Sequence, residues 1–128
     1  MNLVLDKNNY NINNVYFYEP VKNTVMDDSK FIRIIYSDEL VILNGLYLKL
    51  DMNDKNISKF LEIVEKNILN KYSINKNIIY KNKSIKIKEQ LLFLLGKNNL
   101  DSKFLLKISG IWETNLTIGL TYKFISID

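Results

Sequence analysis

Cysteine, histidine and alanine are absent from this 128-residue chain, and Arg33 is its single arginine among 18 basic residues. Without cysteine there is no disulfide, no thiolate nucleophile and no Cys-ligated metal, a usage that fits a reducing compartment. Without histidine the commonest general base and the usual zinc ligand are missing, which leaves carboxylates, lysines, tyrosines and hydroxyls as catalytic groups. The glycines Gly45, Gly96, Gly110 and Gly119 are scattered, so they form neither a phosphate-cradling loop nor a dinucleotide fingerprint. Asp27-Asp28 and Asp51-Met52-Asn53-Asp54 follow no calcium-loop pattern and stand where turns and helix caps favour acidic residues. No apolar run is long enough to span a membrane, and Asp6 interrupts the short apolar start of the chain, so neither a transmembrane segment nor a secretory leader is expected. These absences predict a non-catalytic, intracellular protein without a metal or small-molecule cofactor.

What is present is ordinary in bulk, with 47% hydrophobic and 25% charged residues, and the length suits one domain over 1–128. Asparagine, lysine and isoleucine are in excess, as in translation from an AT-rich genome. That bias sets the default reading of any lysine patch as a solvated surface.

Asparagine-dense residues 1–14 read as a mobile N-terminal arm leading into the β-prone run Val15–Tyr18, which Pro20 stops. Turn chemistry at Asp27-Asp28-Ser29 precedes Phe31–Tyr36, whose β-branched and aromatic content predicts a strand. After Ser37-Asp38-Glu39, a strand from Leu40 to Leu50 is interrupted by Asn44-Gly45, the signal for a type I′ turn or for a bulge in a bent strand. Leu46, Leu48 and Leu50 then alternate with Tyr47 and Lys49, one dry face and one wet. From Asp54 the period becomes helical through Ile57, Phe60, Leu61, Val64 and Ile68, with Asn53 or Asp54 as N-cap. A second helix is expected over Lys86–Leu95 with Gly96 as its left-handed stop, and a short strand at Ile78–Tyr80 between the helices. Phe104–Glu113 and Leu116–Ile127, joined at Thr114-Asn115, read as a long hairpin. In its second strand Ile118, Leu120, Tyr122 and Phe124 share the core face. The order implies an α+β fold, mostly antiparallel, with an OB-like five-stranded barrel or curled sheet and one or two helices between strands three and four.

Two features point to an anionic partner. Seven lysines and no acidic residue lie between Lys66 and Lys88, so the other eleven basic residues face all 14 acidic ones. The wet face of the strands gathers Phe31, Arg33, Tyr47, Lys49, Lys107, Ser109, Thr121 and Lys123, cations for phosphates among rings on which bases stack. Lys76, Lys81 and Lys83 from the lysine-rich segment join them as candidate phosphate ligands. Trp112 is a further candidate stacker, but it shares the parity of Leu106 and Ile108 and is expected in the core.

The strings Phe31–Ser37, Leu43–Tyr47, Ile108–Glu113 and Gly119–Lys123 resemble segments of small proteins encoded by large DNA viruses of eukaryotes. More distantly, the Gly-Ile-Trp and Gly-Leu-Thr-Tyr-Lys strands are similar to the closing strands of virus and phage single-stranded DNA-binding OB proteins. That resemblance implies a replication or recombination role in a host cytoplasm, nucleus or viral factory. It does not extend to the acidic tail of the phage family, since this chain closes on Ile125-Ser126-Ile127-Asp128. Single-stranded nucleic-acid binding is thus the leading expectation. The alternative is a virion structural or interaction module that self-associates through a sheet edge.

Overall fold

In the computed structural model, residues 4–25, 28–38, 40–97 and 103–127 are described. Positions 1–3 of the expected arm, and Asp27 and Glu39 of the expected turns, lie outside them. The fold is α+β, a mixed, curled half-barrel sheet with two helices on its inner side.

The β-branched run Lys30–Ser37 forms the bent strand that organises the sheet. Before it come β1 (Val15–Phe17) and β2 (Val21–Lys22), and the run itself is β3 (Lys30–Ser37). The expected Leu40–Leu50 strand is divided into β4 (Ile42–Asn44) and β5 (Leu46–Leu50). After helix α1 (Ile57–Lys76) come β6 (Asn82–Ser84) and α2 (Ile87–Lys97). The long hairpin β7 (Lys103–Glu113) and β8 (Thr117–Ile127) closes the chain, its turn held by Thr114 and Thr117. Eight short and long strands therefore replace the expected five, and β6 joins β8 in parallel, which makes the sheet mixed.

β3 and β7 pair only from Lys30↔Glu113 to Arg33↔Gly110 and then diverge. The gap is filled by β4, which pairs with Ile35–Ser37 of β3, and by β5, which pairs with Phe104–Ile108 of β7. Asn44-Gly45 stands at the fork. It is a bend, not a hairpin turn, because β4 and β5 pair with different strands. Gly45 takes φ +95°, its N–H donates to the Ile34 carbonyl at 2.9 Å, and a Cβ there would lie 3.1 Å from the Ile108 carbonyl oxygen. Only glycine combines that conformation with so close an approach.

The inner face of the sheet, Ile32, Ile34, Leu46, Leu48, Leu106, Ile108, Ile111 and Ile118, is fully buried, each side chain contributing about 1.5–3 kcal/mol. α1 lays Ile57, Leu61, Val64, Ile68, Leu69 and Tyr72 against it. Neither Asn53 nor Asp54 caps this helix. Asn56 is the N-cap and makes no side-chain cap hydrogen bond, a loss of about 1 kcal/mol that the buried stripe outweighs. At its other end Asn77 takes the left-handed conformation at φ 54°, which asparagine tolerates. The strand expected at Ile78–Tyr80 lies at Asn82–Ser84. Gly96 is inside α2 without a positive φ, so it is not the stop.

Leu5, Tyr10 and Ile12 of the expected arm pack against this core. Leu5 adds a parallel bridge to Leu48 and is 3% exposed. Tyr10 stacks on Tyr36 at 6.5 Å, and the Tyr36 hydroxyl accepts the Asn11 N–H and donates to the Asn9 carbonyl. Lys71 of α1 donates to the carbonyls of Ile12 at 2.9 Å and Val15 at 2.6 Å. Burial lowers its pKa.

α2 is started by a buried carboxylate. Glu65 on α1, 1% exposed, accepts the N–H groups of Lys86 and Ile87 at 3.2 and 3.0 Å, the unpaired donors of a helix N-terminus. Burial raises the Glu65 pKa and nearby Glu62 adds to this, against the lowering effect of those two hydrogen bonds. A carboxyl raised in the folded state binds its proton more tightly there than when unfolded. Stability from this site therefore falls as pH rises from the ordinary carboxylate value through the raised one. Asp54 and Glu62, lowered by their lysine partners, act in the opposite sense and below the ordinary value. Urea midpoints followed across both windows separate the two. Glu65→Gln is expected to remove the decline on the upper side and keep the acid-side loss, and an unchanged upper slope would show that Glu65 does not set it.

Candidate functional site

The face of the sheet turned away from the helices is where the chemistry-bearing side chains collect. Its register rows can be read across strands. One row is Phe31, Trp112 and Gly119; the next is Arg33, Gly110 and Thr121; a third is Tyr47, Lys107 and Lys123; Lys49 with Leu105 and Ile125 forms a fourth. Four rows two residues apart make a stripe about 20 Å long.

Trp112 belongs to this face, not to the core. Ile108 pairs with Tyr122 and Gly110 with Thr121, so Ser109 is an extra residue, a β-bulge. It reverses the alternation of β7. Ile111 turns inward and is fully buried, while Trp112 turns outward and is half-buried opposite Phe31.

Two glycines make room for the rings of that first row. A Cβ on Gly110 would lie 2.7–2.8 Å from the Phe31 ring and would also meet the Ile32 carbonyl oxygen. A Cβ on Gly119 would lie 2.5 Å from Cε2 and 2.7 Å from Nε1 of Trp112. Each ring thus rests on bare backbone of the neighbouring strand, with no side chain beneath it. Beside them an open groove of ≈ 590 Å³ is bounded by residues 21–25 on one side and Phe31, Trp112 and Thr121 on the other. Val21 and Val25 are 57% and 94% exposed there.

Two of the four cations of the face lie against rings, not carboxylates. The Arg33 guanidinium lies 5.8 Å from the Tyr18 ring centre and the Lys107 ammonium 5.6 Å from that of Tyr47. Lys107 and Lys123 stand directly opposite each other, a like-charge pair that costs stability. Among the described residues none of Arg33, Lys49, Lys107 and Lys123 has a carboxylate within ion-pair distance. The outward strand positions carry no acidic residue at all. Glu113, at the end of β7, is turned to the inner side and bound by the Tyr80 hydroxyl. Burial, with Glu113 beside it, keeps that hydroxyl protonated far above the usual phenol range.

The lysine-rich segment lies elsewhere. Lys76 ends α1 with its ammonium 3.8 Å from Glu19, and Lys83 of β6 donates to Asn70 of α1 at 2.7 Å. Lys81 is exposed in the turn before β6. Lys66 and Lys88 both pair with Glu62 at 3.1 Å, and Lys71 is spent on backbone carbonyls. Lys76, Lys81 and Lys83 therefore do not converge with the outward row residues. Of the segment's seven lysines, three reach a carboxylate, with Glu62 shared between two of them, and two reach neutral oxygens, partners the sequence order does not reveal.

A second recess of ≈ 410 Å³ at the end of α1 is lined by Ser73, Asn77 and Tyr80 among others, with Ser73 bound to the Ile78 carbonyl, Lys83 to Asn70 and Tyr80 to Glu113. Among the described residues no three acidic side chains cluster to hold a cation, and no helix is long and apolar enough to cross a membrane. No family model, curated protein or solved structure matches this chain.

Gly119→Ala tests the seat of the tryptophan. The new methyl group forces the indole to lift or shift, at about 1–3 kcal/mol of stability, and the emission of Trp112, the sole tryptophan, should move to the red. Unchanged emission and stability would place the ring somewhere other than on Gly119.

Proposed function

We propose that this chain binds single-stranded nucleic acid along the outer face of its curled sheet, without catalysis. The observation that carries the reading is a row of two rings seated on glycine backbone, continued by four cations, on strand positions free of carboxylates. Half-buried rings that line an open groove suit unstacked bases, and every base has a π-face, so the platform is tolerant of sequence. Arg33, Lys107, Lys123 and Lys49 follow the rings along the strands and suit a phosphate backbone. Seating an aromatic ring over a strand glycine also stabilises a sheet, but stability gives no reason to set Lys107 against Lys123.

An OB-like reading of the fold goes with this, since such barrels hold oligonucleotides on a strand face with aromatic and basic side chains. The resemblance of the closing strands to virus and phage single-stranded DNA-binding proteins points the same way, and the viral replication role rests on it alone. Phe31, Arg33, Tyr47, Lys49, Lys107 and Lys123 remain in the proposed site; Trp112 joins them, and Lys76, Lys81 and Lys83 leave it.

A labelled single-stranded oligonucleotide, titrated by fluorescence anisotropy at several salt concentrations, tests the reading. Four neutralised phosphates give a log–log salt slope of about −3. Replacing Lys107 and Lys123 by glutamine should flatten it by about 1.4, while glutamine at positions 76, 81 and 83 together leaves it nearly unchanged. No binding at low salt, or a slope indifferent to Lys107 and Lys123, would sink the proposal.

One further observation favours self-association as a second reading. β6 pairs with β8 only from Thr117 to Gly119, and no described strand continues along Leu120–Ile127, where Lys123 is the single charge. An edge of this kind is a template for another strand. On this reading light scattering shows a dimer that grows with concentration; a monomer at all concentrations excludes it.

A further inference from the structure

We infer that the groove beside the first row receives one nucleobase of the bound strand, so that one nucleotide per protein is enclosed while its neighbours lie on open sheet. This deepens the single-stranded reading and rests on it. Phe31 and Trp112 form the floor, held flat by Gly110 and Gly119. Val21 and Val25 form the far wall, and at 57% and 94% exposure they are apolar groups left without cover. A base is the occupant whose shape and polarity fit. It is planar, so it can lie against the aromatic floor; its faces are apolar, as the valine wall requires; and its edge is polar, where Thr121 and Thr24 border the groove.

The charge around the groove selects that occupant over an apolar peptide side chain. Lys22 borders it, Arg33 stands in the next row, and Lys107 and Lys123 in the row after, with no outward carboxylate among them. A group tethered to phosphates is drawn in, and the strand then continues from the groove along the stripe toward Lys49. The volume of ≈ 590 Å³ is within the range of small-molecule sites and leaves space for the sugar. Tyr47, in the third row, lines no part of this groove and has the Lys107 ammonium 5.6 Å from its ring centre.

The test uses two single-stranded oligonucleotides of equal length and charge, one intact and one built entirely of abasic sugar–phosphate units. Anisotropy reports binding of each, and Trp112 emission reports what reaches the floor. The intact strand should quench Trp112 and bind about 5- to 150-fold more tightly than the abasic strand, the effect of one enclosed base. Trp112→Leu should erase that preference while still binding the abasic strand, which shows the variant to be folded. Val25→Tyr, at a position 94% exposed, should fill the groove and erase the preference without touching the core. Equal binding of both strands with no quenching overturns the inference and leaves the single-stranded reading intact. Preference retained in both variants assigns the base to another platform and also overturns it. Absence of binding to either strand at low salt overturns both.

Discussion

β3 and β7 cannot remain paired along their full length, because Ser109 gives β7 one residue more than β8 over the same span. The bulge bends β7 away from β3 just beyond Gly110, and the chain fills the opening with β4 and β5. A side chain at Gly45 would collide with the Ile108 carbonyl beside that bulge, so the fork requires both the extra residue and the missing Cβ. From it follow the curl of the sheet, a concave side deep enough to accept α1, and the reversal that brings Ile111 inward and Trp112 outward. One irregularity shapes the core and the outer face together.

The strands themselves were legible because their residues carry the signal locally. β3 and the β7–β8 hairpin fall within a residue or two of where β-branched and aromatic runs place them, and the alternation in β8 gives Ile118 and Leu120 to the core as expected. Parity failed only where the count of residues between two strands changes. Nothing in Ile108-Ser109-Gly110 says which residue is extra, so Trp112 read as a core residue. The glycine that follows was the available hint, since a lone glycine in a strand often marks a bulge or a close approach.

The helical region was legible in its apolar period and not in its ends. Ile57, Leu61, Val64 and Ile68 define α1, but its N-cap lies past the favoured Asn53 and Asp54. Asp54 is used instead in a turn, accepting the Asn56 N–H at 2.9 Å, and in a pair with Lys7 at 2.5 Å. Gly96 fails as a stop because glycine permits a left-handed residue without requiring one. Long-range partners were beyond reach. The separation of Lys71 from Ile12, and of Glu65 from the start of α2, is known only once the chain is folded. The expected arm illustrates the cost, since asparagine-rich polarity suggests disorder while Leu5 and Tyr10 within it supply the packing.

Charge sorting separates the two halves of the surface more sharply than composition can. On the helix side five lysines meet carboxylates or carbonyls: Lys7 with Asp54, Lys66 and Lys88 with Glu62, Lys76 with Glu19, Lys71 with Ile12 and Val15. Exposed ion pairs of this kind add little to stability because solvent screens them, so they balance the surface more than they hold the fold. On the outer face the rule is reversed, with Lys107 and Lys123 opposed and every outward strand position free of acid. An AT-rich genome accounts for the number of lysines, and strands in general are poor in acidic residues; of the described strand positions only Glu113 is acidic, and it is bound by Tyr80 on the inner side. What distinguishes the outer face is the opposition of Lys107 and Lys123, a like-charge pair with no carboxylate at ion-pair distance among the described residues, and on the proposed reading a phosphate backbone would relieve it.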